Sequence, residues 1–246
     1  LAQIKGQLSS TREQFRGVTT LEENALPKTY LQGTVGAYGA GYIAGGRGPG
    51  PSDYRSDISR IDYSNDTALE IRGPLSNARL LTSGTGSSSH GYISGGRLSP
   101  GVVSTVERID YSNDTPTASV RGPLSAARYA IAGVYNVNFG YSAGGTSPTQ
   151  TTVDRLDYGS DTTTAVAKGP LNTARGYISG VGNKSHGYFA GGYGPYNSQV
   201  QRMDYSNDTA TAVDKGPLSS SRYGVGATGT EDFGYIGTGR TPSPGP

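Results

Sequence analysis

The feature that most constrains this chain is an internal repeat. The word GYIAGG or a close variant begins at residues 41, 91, 140 and 187, and a weaker copy, GYIGTG, begins at residue 234. Successive copies start 50, 49, 47 and 47 residues apart. RIDYSNDT or a variant begins at Arg60, Arg108, Arg155 and Arg202, and GPLSNAR or a variant begins at Gly73, Gly122, Gly169 and Gly216. Three markers in constant order indicate one structural unit used several times.

Each unit predicts four short strands joined as a meander. In the unit that starts at Arg128, RYAIAGV, FGYSAGG, TVDRLDY and TTTAVAK are extended runs separated by Gly, Pro, Asn and Asp clusters. The SND run between the third and fourth strands predicts a turn, because Asn and Asp side chains bond their own backbone. The paired glycines allow positive φ or close backbone approach at the end of the second strand.

A period near 50 residues with four strands per unit is typical of β-propeller blades and excludes the shorter helical and leucine-rich repeats. The unit resembles the kelch repeat in its Gly doublet, its V-x-R-x-D-Y run and its Pro-then-Arg approach to the next first strand, over about residues 30 to 239. It departs from the kelch pattern where a Trp is usual, because Thr, Ala and Val stand there. The resemblance implies an all-β, kelch-like β-propeller.

The repeat wording also resembles virion and tail-fibre-like proteins of marine cyanobacterial phages. DYSNDTATA at 204–212, GPLSSSRY at 216–223 and GYFAGG at 187–192 carry this likeness. It implies a structural protein of a virion, with a virion or extracellular location and other virion or fibre subunits as partners.

Counting the pairs of strands predicts about five blades. First and second strands occur five times, around residues 30–46, 80–96, 129–145, 176–192 and 223–239, whereas clear third and fourth strands occur four times. Residues 1–29 resemble a degenerate third and fourth strand, so we expect them to complete the last blade or to pair with a neighbouring molecule, giving a homo-oligomer or filament. The propeller then covers residues 30–240, before a Pro-rich tail at 241–246.

Composition excludes several functions. With no Cys and two His, the chain has no disulfide, thiolate metal site or Cys nucleophile. The net charge is +2 and basic residues are spread evenly, which predicts no nucleic-acid partner. No apolar run is long enough for membrane insertion. His90 and His186 hold equivalent places, yet a turn explains them better than a metal, and we expect no metal or cofactor.

The second-to-third connections differ most between units, and variable loops on a rigid scaffold are where specificity is usually placed. They hold the binding candidates, because tyrosine offers a flat apolar ring with a hydroxyl for glycan or protein contacts: Arg47, Tyr54, Arg97, Tyr193 and Tyr196. The alternative interpretation is that these connections are solvated surface loops with no binding role.

Other recurring residues have structural interpretations. The arginines that follow GPL are predicted to satisfy carbonyls between blades, the alternative being a pocket for carboxylates or sugar acids: Arg79, Arg128, Arg175 and Arg222. Arg108 and Asp110, with their counterparts, share a strand face and predict ion pairs. N-glycosylation acceptor sequences stand at Asn65, Asn113, Asn183 and Asn207.

The sequence therefore favours a non-enzymatic virion structural or tail-fibre-associated module that recognises a host surface, glycan or protein. The first alternative is an extracellular fibre or adhesin subunit that assembles by exchange of terminal strands. The second is a glycan-active enzyme, which would need a polar cluster that breaks the repeat. No phosphate loop or HExxH motif is present, and the repeat itself accounts for each Gly-rich stretch, including GYSAGG at 140–145.

Overall fold

The computed structural model describes residues 34–37, 39–49, 53–65 and 68–241. The described chain is all-β, with strands interrupted only by turns and two short 3₁₀ segments. Residues 1–29 and most of the Pro-rich tail lie outside the described residues. The predicted closure by residues 1–29 therefore stays a prediction.

Four antiparallel sheets follow one another along the chain, each with its strands in sequence order. The first contains β1 (Thr34–Ala37), β2 (Ala40–Arg47), β3 (Tyr54–Asp62) and β4 (Glu70–Arg72), and the second contains β5 (Ser83–Gly86), β6 (His90–Ser94), β7 (Val106–Asp110) and β8 (Ser119–Arg121). The third contains β9 (Ala132–Tyr135), β10 (Phe139–Ala143), β11 (Val153–Asp157) and β12 (Val166–Ala167). The fourth contains β13 (Ser179–Gly182), β14 (His186–Ala190), β15 (Val200–Asp204) and β16 (Val213–Lys215). The predicted four-stranded unit is confirmed.

A fifth sheet has two strands among the described residues, β17 (Gly226–Gly229) and β18 (Gly234–Gly237). It corresponds to the first two strands of the other sheets. The repeated four-stranded architecture is consistent with a β-propeller-like fold.

The turn after the third strand has a local cause, but the residue that makes it differs from the SND run predicted. Asp157, at the end of β11, accepts a hydrogen bond from the Gly159 amide at 2.9 Å and begins a 3₁₀ turn over Tyr158–Ser160. Asp204 accepts from Ser206 in the same way. The aspartate before the tyrosine therefore makes the turn. Asp114, Asp161 and Asp208, the later aspartates of three markers, contact other groups instead.

The first strands of successive sheets contact each other in series: β1 with β5, β5 with β9, β9 with β13 and β13 with β17. Backbone hydrogen bonds link the residues just before these strands, from Ala130 to Leu81 (2.8 Å), from Tyr177 to Ala130 (2.9 Å) and from Gly224 to Tyr177 (3.0 Å). All four residues have φ between 53° and 64°. In the third sheet the left-handed residue is Ala130, which explains why the strand predicted to begin at Arg128 begins instead at Ala132.

The core lies between sheets. Tyr42, Ala44 and Ile58 of the first sheet form one buried cluster with side chains of the second sheet, and the leucine of each GPL marker is buried in the first three copies. Burial of one such side chain stabilises the fold by about 1.5–3 kcal/mol. The inner strands are built from small residues because backbones approach closely there: a Cβ on Gly133 would lie 2.3 Å from the Gly84 carbonyl oxygen.

Within the described residues, no helix has the length and apolar composition needed to cross a bilayer.

Candidate functional site

Two of the recurring arginines are held by buried ion pairs inside their own sheet. Arg79 approaches Glu107 at 2.7 Å and donates to the Ile93 carbonyl at 3.3 Å. The second carboxylate oxygen of Glu107 accepts from the backbone amide of Ser76, in the GPLS turn, at 2.8 Å. In the third sheet one oxygen of Asp154 accepts from both Arg128 and the Ser125 amide, and Arg128 also donates to the Ser142 carbonyl. One carboxylate thus joins the arginine, the third strand and the GPL turn.

The backbone of the same arginines fastens each sheet to the preceding one. The amide of the second glycine in each doublet donates to the arginine carbonyl of the next unit, at 2.8–3.0 Å; the pairs are Gly46 with Arg79, Gly96 with Arg128, Gly145 with Arg175 and Gly192 with Arg222. The side chains of Arg79, Arg128 and Arg175 are at most 1% exposed. These contacts support the structural interpretation over a pocket open to carboxylates or sugar acids. Arg222, in the two-stranded sheet, instead bonds Ser219, Ser220 and Thr238 near the surface.

Arg175 departs from this pattern because Gln201 stands where Glu107 and Asp154 stand in the earlier sheets. The buried guanidinium donates to the Phe189 and Gln199 carbonyls, both at 3.2 Å. Burial lowers the pKa of Arg175 to about 10, against weak support from Asp214. The fourth sheet therefore carries a buried positive charge held by neutral oxygens.

A second network joins neighbouring sheets and corrects one prediction. Arg108 does not pair with Asp110; it donates to Asp161 of the next sheet at 2.8 Å, while Asp110 accepts from Ser112 in its own turn. The Tyr92 hydroxyl donates to the same Asp161 oxygen at 3.0 Å. We call such a tyrosine, arginine and aspartate a carboxylate clamp. It is repeated by Tyr42, Arg60 and Asp114, and by Tyr141, Arg155 and Asp208.

Each clamp is backed by a stacked pair of tyrosines from the two sheets. Tyr42 lies parallel to Tyr111 with ring centroids 5.1 Å apart, and Tyr92 and Tyr158 are 4.9 Å apart. Burial, and then the Asp114 carboxylate, raise the pKa of Tyr42 to about 12. Because its pKa is raised, the Tyr42 hydroxyl remains a donor to Asp114 at a higher pH than an exposed tyrosine would.

The surface feature that stands out is a continuous row of tyrosines across three neighbouring sheets. Tyr129 and Tyr177 meet edge to face with centroids 6.3 Å apart, and Tyr177 meets Tyr223 at 5.7 Å. From the loop after β14, Tyr193 and Tyr196 lie 5.4 and 5.2 Å from Tyr223. We call these five residues the tyrosine row. All are partly exposed, so their rings are available to a ligand.

Arginines flank both ends of the row. The Arg97 guanidinium lies over the Tyr129 ring, 5.7 Å from its centroid, and Arg240 donates to the Tyr223 hydroxyl at 3.3 Å. The sheet scaffold fixes both: Arg97 exchanges backbone hydrogen bonds with Leu80, and Arg240 with Tyr223. The flanking charges are thus held at defined positions.

Tyr177 reaches the row from an unusual backbone position. Its φ is 53°, at the place that Ala130 and Gly224 occupy in the neighbouring units, whereas Tyr129 and Tyr223 stand one residue earlier. A non-glycine residue in this region costs about 1–2 kcal/mol. The same conformation occurs at Leu81 and Ala130, which lie outside the row, so it is a feature of the repeated unit and not of the candidate site.

The structure brings together three of the five predicted binding residues. Arg97, Tyr193 and Tyr196 join the tyrosine row or its flank, whereas Arg47 and Tyr54 lie opposite each other on β2 and β3 of the first sheet. Tyr129, Tyr177 and Tyr223 were not among the binding residues predicted from the sequence. Their signal was a tyrosine one or two residues after the recurring arginine in three successive units.

The remaining candidates are dispersed. His90 bonds Ser89 in the second sheet and His186 lies 3.9 Å from Asp204 in the fourth, and no group of three metal-ligating side chains occurs in the described part of the chain. Of the glycosylation acceptors, Asn65, Asn113 and Asn207 are exposed in turns. Asn183 is partly buried, and its amide donates to the Glu231 carbonyl at 3.2 Å.

No protein-family model matches this chain, and no curated protein matches it either.

Proposed function

We propose that this protein is a non-enzymatic recognition module of a virion or tail fibre, and that it contacts a host-surface glycan or protein through the tyrosine row. The observation that carries the proposal is the row itself. Five partly exposed aromatic rings in mutual contact form one surface, and side chains of this type dominate recognition because they combine apolar area with a polar hydroxyl.

The buried acids support binding over catalysis. Glu107 and Asp154 are paired with arginines in the core, and Asp114, Asp161 and Asp208 are held in the carboxylate clamps. These roles are structural and repeat from sheet to sheet. A glycan-active enzyme would need an acid pair outside the repeat pattern.

A glycan array with the full chain tests the proposal. We expect Tyr177→Ala combined with Tyr223→Ala to weaken binding of any captured ligand at least tenfold, because two stacking surfaces are removed. Tyr63→Ala is the matched control, since this exposed tyrosine lies in the first sheet, outside the row. Equal binding by the double variant and the control would contradict the proposal.

We further propose that the sheets are the blades of a five-bladed, kelch-like propeller whose last blade is completed by residues 1–29. A clamp position on the fourth sheet that has no aspartate among the described residues supports this. Tyr188 and Arg202 hold the tyrosine and arginine places of a clamp on the fourth sheet, and within the described residues no carboxylate lies within hydrogen-bond or ion-pair distance of either. A cleft of about 240 Å³ opens beside Tyr188, between the fourth and fifth sheets. A third strand in the fifth sheet would fill it.

Exposed apolar side chains on the first and fifth sheets also support closure of the ring. Tyr235 is 61% exposed, whereas its equivalent in the first sheet, Tyr42, is 1% exposed beneath the second sheet. At the other end of the series, Ile43 is 40% exposed, whereas its equivalent Ile93 is fully buried. Each terminal sheet thus presents the apolar face that the interior sheets bury, so the two faces are complementary.

The same faces favour the alternative, a fibre subunit joined head to tail, because an unclosed contact between complementary faces produces a filament. Light scattering over a concentration series distinguishes the two. A mass near 25.5 kDa at every concentration supports a closed ring. Assemblies that grow with concentration support the fibre, and loss of them on deletion of residues 1–29 would assign the exchange to that segment.

A further inference from the structure

We infer that the tyrosine row takes an acidic polysaccharide, with sugar rings against the tyrosines and carboxylate or sulfate groups on Arg97 and Arg240. The inference rests on the proposed function and names the ligand class of the same site.

Arg97 and Arg240 differ from most arginines of the described chain because no carboxylate lies within ion-pair distance of either. Arg60, Arg108 and Arg155 are each engaged with the aspartate of a clamp, and even the exposed Arg55 has Asp53 and Asp57 beside it. A guanidinium is a planar fork of donors that fits carboxylate and sulfate oxygens. The two flanking arginines are therefore free to bind an anionic ligand.

Their positions in the fold are equivalent. Each follows the glycine pair or its counterpart in its own sheet and bridges to the residue after the recurring arginine: Arg97 to Leu80, and Arg240 to Tyr223. In the two sheets between them the same place is held by Thr146 and Tyr193. Across these four equivalent positions, the two arginines therefore stand at the ends, and Thr146 and Tyr193 lie between them.

Nearby acids do not cancel this charge. Glu231 and Asp232 of the fifth sheet lie in the turn that joins β17 to β18, at the opposite end of that hairpin from Arg240. Lys184 is 3.8 Å from Glu231. These acids therefore do not neutralise the positive charges of Arg97 and Arg240, although the net charge of the whole chain is only +2.

The regularity of the row favours a polymer with repeating units over an acidic peptide. Successive rings along the sheets are 6.3 and 5.7 Å apart, so one ligand unit after another meets a similar surface. The neighbouring backbone is already committed: Tyr177 and Gly224 donate to the preceding sheet, and Tyr223 exchanges two bonds with Arg240. It offers no free row of amides to which an extended peptide could add as a strand.

Titration calorimetry with oligogalacturonate and its carboxyl-reduced, neutral counterpart tests the inference, with a sulfated oligosaccharide to compare the two anions. We expect an acidic ligand to bind at least tenfold more tightly than the neutral one, and Arg97→Gln and Arg240→Gln each to remove about tenfold of that affinity. Arg55→Gln, an exposed arginine with its own acids, is the matched control and should bind normally. Unchanged thermal unfolding of each variant verifies the fold.

The outcomes separate the inference from the function on which it rests. Equal affinity for neutral and acidic oligosaccharides, lost in Tyr177→Ala, would overturn the acidic ligand class and leave recognition by the tyrosine row standing. Binding of an acidic peptide, but of no oligosaccharide, through the same arginines would overturn the polysaccharide assignment. Absence of binding to every glycan and protein probe would overturn both.

Discussion

Replacement of Glu107 by glutamine should destabilise the protein by about 3 kcal/mol, the lower end of the range for removing one partner of a buried ion pair. Glu107 is fully buried, 2.7 Å from Arg79, so water cannot screen the loss. The amide oxygen of glutamine can still accept from the Ser76 amide, and the volume is unchanged. The substitution therefore removes a charge and little else. Arg79 would then be a buried cation held by neutral oxygens, as Arg175 is.

Thermal unfolding followed by circular dichroism measures the effect. For a chain of this size, each kcal/mol lowers Tm by about 2–4 °C, so a fall of about 6–12 °C is expected. Glu70→Gln is the matched control: this carboxylate also contacts arginines, Arg60 and Arg72, but it is exposed, so its loss should cost under about 1 kcal/mol. An apolar pair, Arg79→Met with Glu107→Leu, should recover most of the stability.

Equal unfolding temperatures for Glu107→Gln and Glu70→Gln would contradict this prediction. That result would mean that neutral oxygens hold the Arg79 charge as well as a carboxylate does, and the pattern of Glu107, Asp154 and Gln201 would carry no energetic difference.

Three further predictions concern the clamps and the row. Asp161→Asn should lower the free energy of unfolding by about 2–3 kcal/mol, because a charged acceptor for Tyr92 and Arg108 is lost; an unchanged urea midpoint would refute it. Tyr177→Gly should change stability by less than about 1 kcal/mol, since relief of the left-handed φ offsets lost ring contacts, yet it should weaken ligand binding; a large fall in the urea midpoint would contradict the offset. Burial raises the pKa of Tyr42 from about 10 in the unfolded chain to about 12 in the folded protein, so the unfolded state releases this proton first and the free energy of unfolding should fall as the pH rises from 10 to 12. A tyrosinate absorbance titration with every tyrosine ionising near pH 10 in the folded protein would disprove that shift.

Several elements were predictable because their causes are local. The strand pattern, the glycine pairs and the place of the turn after the third strand depend on residues a few positions apart, and the repeat shows them several times over, although the residue that makes the turn, Asp157, was not the one predicted. The predicted first strand was too long because Ala130 takes a left-handed conformation that depends on a hydrogen bond to Leu81 of the neighbouring sheet. The ion pair predicted between Arg108 and Asp110 was wrong because the competing partner, Asp161, lies 53 residues away.

The sequence by itself determined the repeated four-stranded unit, since turn chemistry and strand alternation act over a few residues. Only the tertiary structure decided which side chains meet. Tyr129, Tyr177 and Tyr223 belong to three units and become neighbours because the sheets stack in series along their first strands. In the second sheet Leu80 follows the recurring arginine, at the place that Tyr129 holds in the third sheet. Tyr54, beside the variable connection of the first sheet, therefore has no row of tyrosines to join. Contacts between sheets, which no short stretch of sequence encodes, therefore define the candidate site.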